Sequence, residues 1–226
     1  MKLRLYDWAP SPFCIKVRAI LAFKGLAYDR IQMTWETFAE VRQRGGVGKT
    51  PALDIDGEMV VDSTDIADRL EALKPEPRLL PADSRERALC RALEDWADEA
   101  IYFNALYQHW IEPAGRAQTA AYFAAQPGAA SMFESLLRQT EVQLIGQGVG
   151  RKSPDHVRRD LERQLDVAEA LLSSGPYLLG AQPTLADFAL TGQLSYLSYA
   201  PATEGLTKGR PAVAGFMSLM KRPGAG

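Results

Sequence analysis

The chain is poor in the side chains that staple small folds and bind metals. Among its 226 residues there are two cysteines, Cys14 and Cys90, and two histidines, His109 and His156. Two cysteines make no disulfide framework, and neither they nor the histidines compose a metal set. No apolar run is long enough to cross a bilayer, and Met1 to Tyr6 alternates charged and apolar side chains, unlike a secretory leader. Excess charge of one sign is missing as well. The 26 basic and 28 acidic residues are well mixed, for a net charge of −2, with no basic stripe and no acidic tail. Nucleic acid and anionic membrane surfaces are therefore not expected partners. The default is a cytoplasmic protein with free thiols, long enough for one or two domains around a substantial core.

What is present divides into two halves with different periods. Over residues 1–74, Leu3 and Leu5 alternate, then Phe13, Val17, Ile20 and Leu21 follow at helical spacing, with Gly25 as a stop after Lys24. Tyr28–Met33 reads as a short strand and Trp35–Arg44 as a weak helix. Ala52–Ile55 and Met59–Val61 are strand-like, and Asp56-Gly57 between them is a hairpin signal. Ile66, Leu70 and Leu73 mark a helix starting after Ser63. The order βαβαββα predicts a mixed sheet flanked by helices. Pro75 and Pro77 break the last helix, and residues 75–84 read as a linker.

Over residues 85–226 the strand signal disappears. Leu89, Leu93, Trp96, Ala100, Phe103, Tyr107 and Trp110 run at steps of three and four, and Val157, Leu161, Leu165, Ala168 and Leu172 form a second stripe. Met132, Leu136 and Ile145 sketch a third helix, so this half is predicted to be an all-α bundle. Thr184-Leu185-Ala186-Asp187 resembles a capping box at a helix start between apolar flanks. A buried cap of this kind is structural, and losing Thr184 should cost about 1–2 kcal/mol.

Three short segments carry chemistry. Ser11-Pro12-Phe13-Cys14 places a serine at a helix N-cap and a proline at the first helical position, so a hydroxyl sits at the positive end of a helix where a thiolate is favoured. Alone, such a serine is usually a cap and nothing more. Lys49-Thr50-Pro51 precedes a strand; a cis Thr50–Pro51 bond would turn the Thr50 backbone outward to pair with an extended peptide, whereas a trans proline would merely open the strand. Asp62-Ser63 ends a strand and begins a helix. Ser63, with the Thr64 N–H, offers donors to a carboxylate, and Asp62 an acceptor for an ammonium, which together suit an α-amino-acid head group. Two glycine-rich segments fail as phosphate loops. Gly45–Thr50 is preceded by polar residues and followed by Pro51 and a strand, and Gly146–Gly150 has no strand before it and reads as a loop.

In order and spacing, Ser11-Pro12-Phe13-Cys14, Thr50-Pro51, Asp62-Ser63, the linker near Pro75–Asp83 and Thr184-x-x-Asp187 resemble the cytosolic glutathione transferases over nearly the whole chain, in a serine-type, bacterial-like form. The resemblance implies a thioredoxin-like glutathione-binding domain over 1–74, an all-helical substrate-binding domain over 85–226, and a homodimer. It implies glutathione as co-substrate, no metal, and a role in detoxification. Ser11 would activate the thiol, Thr50 beside a cis Pro51 would pair with the cysteinyl backbone, and Asp62 and Ser63 would hold the γ-glutamyl end. Lys49 would approach the glycyl carboxylate, and Phe13 joins the glutathione-binding set. Asp62 departs from the Glu or Gln usual in the family, so a shorter side chain must reach the ammonium. Glu112–Ala130 and Gly146–Ser153 match no pattern, which leaves the outer substrate wall undefined.

The chemistry is plausible in magnitude. A thiol of pKa about 8.5 is roughly 3% ionised at pH 7, and lowering it to about 6.5 gives roughly 75%. The shift needs about 2.7 kcal/mol, within reach of one hydroxyl hydrogen bond to the anion (about 1.5–3 kcal/mol) and a helix end. Cys14, one turn deeper on the apolar side, and Tyr6, near the strand end, are rival groups for the thiol; Cys14 reads as packing. Trp8 and Tyr107 are assigned to a pocket for a small hydrophobic electrophile, while His109 reads as a surface or satisfied histidine. Isomerisation or dehalogenation by the same thiolate, or a non-catalytic interaction module, are the competing readings.

Overall fold

The computed structural model describes residues 1–46, 49–126, 129–207 and 209–221. Val47 and Gly48 of the first glycine-rich segment lie outside them. The N-terminal part runs β1 (Leu3–Asp7), α1 (Pro12–Phe23), β2 (Asp29–Gln32), α2 (Trp35–Gln43), β3 (Ala52–Ile55), β4 (Glu58–Val61) and α3 (Ser63–Leu73). The sheet order is β2-β1-β3-β4, with β1 parallel to β2 and antiparallel to β3, and β3 antiparallel to β4. This is the thioredoxin-like βαβαββα unit that the alternating periods predict.

The two-residue period of β1 divides the layers. Leu3 and Leu5 pack with Val17, Ile20, Leu21, Ile66 and Leu70 in the main core, whereas Tyr6 joins Val41 and Ala52 on the face covered by α2. The hairpin closes through Asp56 (φ 51°) and Gly57 (φ 100°), a pair of left-handed residues that matches the twist of the flanking strands. Gly25, at φ 58°, ends α1 as expected. Helix α3 begins at Ser63 itself, with Asp62 as the capping residue, one residue earlier than predicted.

The C-terminal part is all helical: α4 (Ser84–Asp95), a π-helical turn (Trp96–Ile101), α5 (Tyr102–Trp110), α6 (Pro113–Ala124), α7 (Ala130–Gln147), α8 (Pro154–Leu172), α9 (Leu185–Ser198) and α10 (Pro211–Met220). The stripe from Leu89 to Trp110 is thus one helical rod divided by a π turn, which buries Ala97, Asp98 and Ile101. Two readings need correction. The unpatterned stretch Glu112–Ala130 contains α6, capped by the Glu112 carboxylate accepting the Gly115 N–H at 2.8 Å. It buries only Gly115 and Phe123, and a Cβ on Gly115 would collide with the Gln108 carbonyl, so one close approach and one large ring replace a regular apolar stripe. The Gly146–Gly150 segment is not a free loop: α7 continues to Gln147, Gly148 (φ 113°) ends it, and a 3-10 turn follows.

Helix α9 is buried almost all round, the signature of a central helix. It lies along α1, and at Gly192 any Cβ would strike the Pro12 carbonyl oxygen. Its start carries the expected capping box. The Asp187 carboxylate accepts the Thr184 N–H and Oγ1–H, each at 2.8 Å, and the Leu178 N–H at 2.8 Å.

Candidate functional site

The start of α1 is built by local hydrogen bonds. Pro12 occupies the first turn, and Ser11, in extended backbone, turns its Oγ inward to accept the Cys14 N–H at 3.3 Å. A hydroxyl that accepts the cap bond keeps its own proton free to donate. The Ser11 N–H is held by the Trp8 carbonyl at 3.0 Å, which fixes the loop that leads from β1. Ser11 is 6% exposed, so it lies at a floor and not on an open surface.

Cys14 is fully buried beneath that hydroxyl, its sulfur accepting the Trp8 N–H at 3.4 Å. Burial pushes its thiol up to about 11, although hydrogen bonds from Trp8, Ser11 and Thr50 partly oppose the shift. A thiol so placed is a packing group, not a nucleophile. The same contacts bring Ser11 and Thr50 to one spot from two elements. Thr50 stands before Pro51 at the entry to β3, and the bond between them is cis.

Tyr6 is turned away from this spot. Its hydroxyl, on the α2 face of the sheet, donates to Glu40 and accepts from Arg44 at 3.2 Å. Burial, then the hydrogen bond to Glu40, raises its pKa.

The second edge is the β4–α3 corner. Asp62 sits at φ 75°, a left-handed conformation unusual for a residue with a side chain, which local strain of this kind often reserves for functional corners. One Asp62 oxygen accepts the Thr64 N–H at 2.9 Å, so that N–H is spent on the cap and not free for a carboxylate. The second oxygen of this exposed carboxylate has no protein partner among the described residues. Ser63 is buried at 5% exposure, and the Lys16 ammonium lies 3.5 Å from its Oγ. Lys16 is itself fully buried and ion-paired to Glu94 at 2.7 Å and Asp98 at 2.6 Å. Burial alone would lower its pKa, but the two carboxylates outweigh it and keep the ammonium charged.

The helical half supplies a rim. Glu99, on the π turn, lies close enough to Lys49 and Asp62 to feel both charges; burial, then the Asp98 charge, raises its pKa. Lys49 is exposed. Phe13 stacks obliquely on Tyr102, ring centres 4.8 Å apart. Trp8 meets Phe123 of α6 edge-on at 5.6 Å, and Phe123 continues to Trp110 and Phe133. Tyr107 is 5% exposed within the helical core and, among the described residues, shares no ring contact with Trp8. His109 is buried, its Nε2 2.8 Å from the Tyr196 carbonyl.

The arrangement brings Ser11 and Thr50 together at Cys14, sets Asp62 and Ser63 at the β4–α3 corner, leaves Lys49 and Asp62 both near Glu99, and packs Phe13 and Trp8 on rings of the helical half. Sequence reasoning did not single out Lys16 or Glu99, and among the aromatic residues of the helical stripe it kept Tyr107 for the pocket and set Tyr102 aside. Lys16 is turned inward where α1 lies along α9, against which α4 also packs, whereas Glu99 stays exposed on the π turn. Among the described residues, no His, Cys, Asp and Glu group is placed to hold a metal. No described helix is long and apolar enough to cross a membrane.

Comparison with known proteins accords with this fold. Residues 5–78 match the glutathione S-transferase N-terminal domain and residues 147–218 the glutathione S-transferase C-terminal domain. The chain is 36% identical over 97 residues to maleylacetoacetate isomerase of Mus musculus, covering 40% of this chain and 45% of that protein. It is 35% identical over 108 residues to protein LigF of Sphingobium sp. (strain NBRC 103272 / SYK-6), covering 44% and 41%. In these local matches the chain spans less than half the length of the first curated relatives. The crystal structure of beta-etherase LigF from Sphingobium sp. strain SYK-6 superposes with a TM-score of 0.70 at 23% identity, covering 100% of this chain and 97% of that one. A glutathione S-transferase III in apo form gives 0.69 at 25% identity, covering 100% and 94%. With both domain types matched in order and the whole fold shared, the chain belongs to the glutathione S-transferase family.

Proposed function

We propose that the protein is a glutathione transferase in which Ser11 holds the thiol of glutathione as its thiolate for attack on a small hydrophobic electrophile. The observation that carries this reading is the Ser11 cap. Its Oγ accepts the Cys14 N–H, so its O–H is left to donate from the positive end of α1. When bound, glutathione supplies the sulfur nucleophile. Ser11 donates to the sulfur and lowers its pKa, Thr50 beside Pro51 pairs with the cysteinyl backbone, and Lys49 attracts the glycyl carboxylate. Ser63 donates to the γ-glutamyl carboxylate, and the free Asp62 oxygen accepts from the γ-glutamyl ammonium. Phe13 contributes to the same grip, and Trp8 forms a wall of the electrophile pocket. Tyr107, on α5, is assigned to the same pocket. The residue types support the reading: hydroxyl donors, a carboxylate acceptor and a lysine ammonium match the chemistry of the tripeptide's sulfur, head group and glycyl end.

The test is Ser11→Ala. Removing the donor should raise the kinetic pKa of the bound thiol by about one to two units and lower kcat/KM about 10- to 100-fold at pH 7. A pH–rate profile unchanged from that of the parent would assign the task elsewhere. A second reading, glutathione-dependent isomerisation, ether cleavage or dehalogenation, is favoured by the relatives named maleylacetoacetate isomerase and beta-etherase. A panel holding a cis-olefin, an aryl ether, an alkyl halide and an aryl halide separates these outcomes from conjugation. A cytoplasmic homodimer acting in detoxification belongs to the same proposal, and sizing by light scattering tests the dimer.

A further inference from the structure

The ion cluster around Lys16 has no part in the reading above, yet it touches the proposed head-group site from below. Lys16 rises from α1, Glu94 from α4 and Asp98 from the π turn, so the cluster spans the junction of the two halves. Its members are restrained further. Thr64 Oγ1 donates to Glu94 at 2.8 Å while receiving Lys16 at 3.3 Å, Gln193 Nε2 donates to Asp98 at 3.2 Å, and Arg91 pairs with Glu94 at 3.2 Å. Three ionisable groups largely removed from water are a costly device for cohesion alone, since well-packed apolar side chains would hold the junction as firmly.

The polarity of two hydroxyls is what such a device can set. An ammonium has donors and no lone pair, so each hydroxyl beside it must present its oxygen and turn its proton away. For Thr64 the proton turns to Glu94. For Ser63 no protein acceptor is found among the described residues, so its proton is left to a ligand at the β4–α3 corner. In a site of low dielectric, charge–dipole orientation of this kind remains effective at the 3.5 Å separating Lys16 Nζ from Ser63 Oγ.

We propose that Lys16, held by Glu94 and Asp98 of the helical half, is a positioning residue that fixes Ser63 as a hydrogen-bond donor and so tunes the site for a carboxylate head group. This rests on the proposed glutathione reading of Ser63. It adds to that reading a dependence of N-terminal ligand binding on acidic residues contributed by the C-terminal half.

The test is a double-mutant cycle by calorimetry on the full chain. Because Lys16→Met alone strands two buried carboxylates, the neutral set K16M/E94Q/D98N is used beside the charge-keeping Lys16→Arg, with thermal melts to show that each folds. Each is measured with reduced glutathione and with γ-aminobutyryl-cysteinyl-glycine, which lacks the α-carboxylate. The neutral set should weaken glutathione about tenfold, leave the decarboxylated peptide within about twofold, leave kcat at saturation within about twofold, and have no further effect once Ser63→Ala is present. Lys16→Arg should recover most of the loss. Equal weakening of both peptides, or a tenfold loss that persists in the Ser63→Ala background, would overturn the proposal in favour of a structural or purely Coulombic role. Failure of the parent protein to bind either peptide would instead remove the glutathione reading, and the inference with it.

Discussion

At the residue scale, burial decides which titratable groups are chemistry and which are packing. The Cys14 thiol carries no charge at neutral pH because it is fully enclosed, and Cys90 is enclosed as well. A disulfide reagent at pH 8 should therefore modify neither thiol in the native protein and both after unfolding; rapid native labelling of Cys14 would restore it as a nucleophile. His109 is the other buried group. Burial lowers its pKa to about 4, the hydrogen bond with the Tyr196 carbonyl only partly opposing this, so the folded state holds a neutral ring that donates from Nε2. With the unfolded value near 6.5, the unfolded chain binds the extra proton first as pH falls. The stability this ring contributes is complete above pH about 6.5 and is lost between there and about 4, on the order of 3 kcal/mol. Urea titrations of His109→Gln should show a flatter acid-side decline than the parent across that window. The satisfied-histidine reading was open from the sequence because His109 sits inside an apolar helical stripe, whereas its partner carbonyl lies on α9, far along the chain.

At the element scale, local signals were written plainly where a cap, a turn or a period carries them. Ser11-Pro12, Asp56-Gly57 and Thr184-x-x-Asp187 each specify one backbone conformation through their own side chains, so α1, the hairpin and α9 are legible from neighbouring residues alone. Helix α6 was not legible, because it buries only Gly115 and Phe123 and so carries no repeating apolar stripe, and the π turn was hidden inside a regular stripe. The α1–α9 contact belongs to the same class. Gly192 lets α9 approach the Pro12 carbonyl, which places the Ser11 turn. Gly192→Ala should push that turn outward, destabilise the fold by about 1–3 kcal/mol and raise KM for glutathione more than it lowers kcat. A Tm and kinetics equal to those of the parent would show that the junction yields without strain.

For the whole molecule, the two halves share one core and one buried ion cluster. Leu79 of the linker ties in as well, its carbonyl accepting the Leu185 N–H at 2.8 Å and its own N–H bonding to Glu71. Unfolding one half would expose the Lys16 cluster and the buried face of α9. Denaturation followed by tryptophan fluorescence and by far-ultraviolet dichroism should therefore give coincident transitions; a separate early loss of the N-terminal half would contradict this coupling.

The amino-acid order by itself determined the two-part architecture, the strands and helices of the N-terminal part, and the short segments that carry hydroxyls and carboxylates, because periodicity, caps and turn residues act over a few positions. Tertiary structure alone decided which of these segments meet, that Tyr6 faces away while Thr50 comes to Cys14, and that Lys16 lies beneath Ser63. Those outcomes depend on strand order, on close helix approach at Gly192, and on contacts between residues tens of positions apart, which no local pattern encodes.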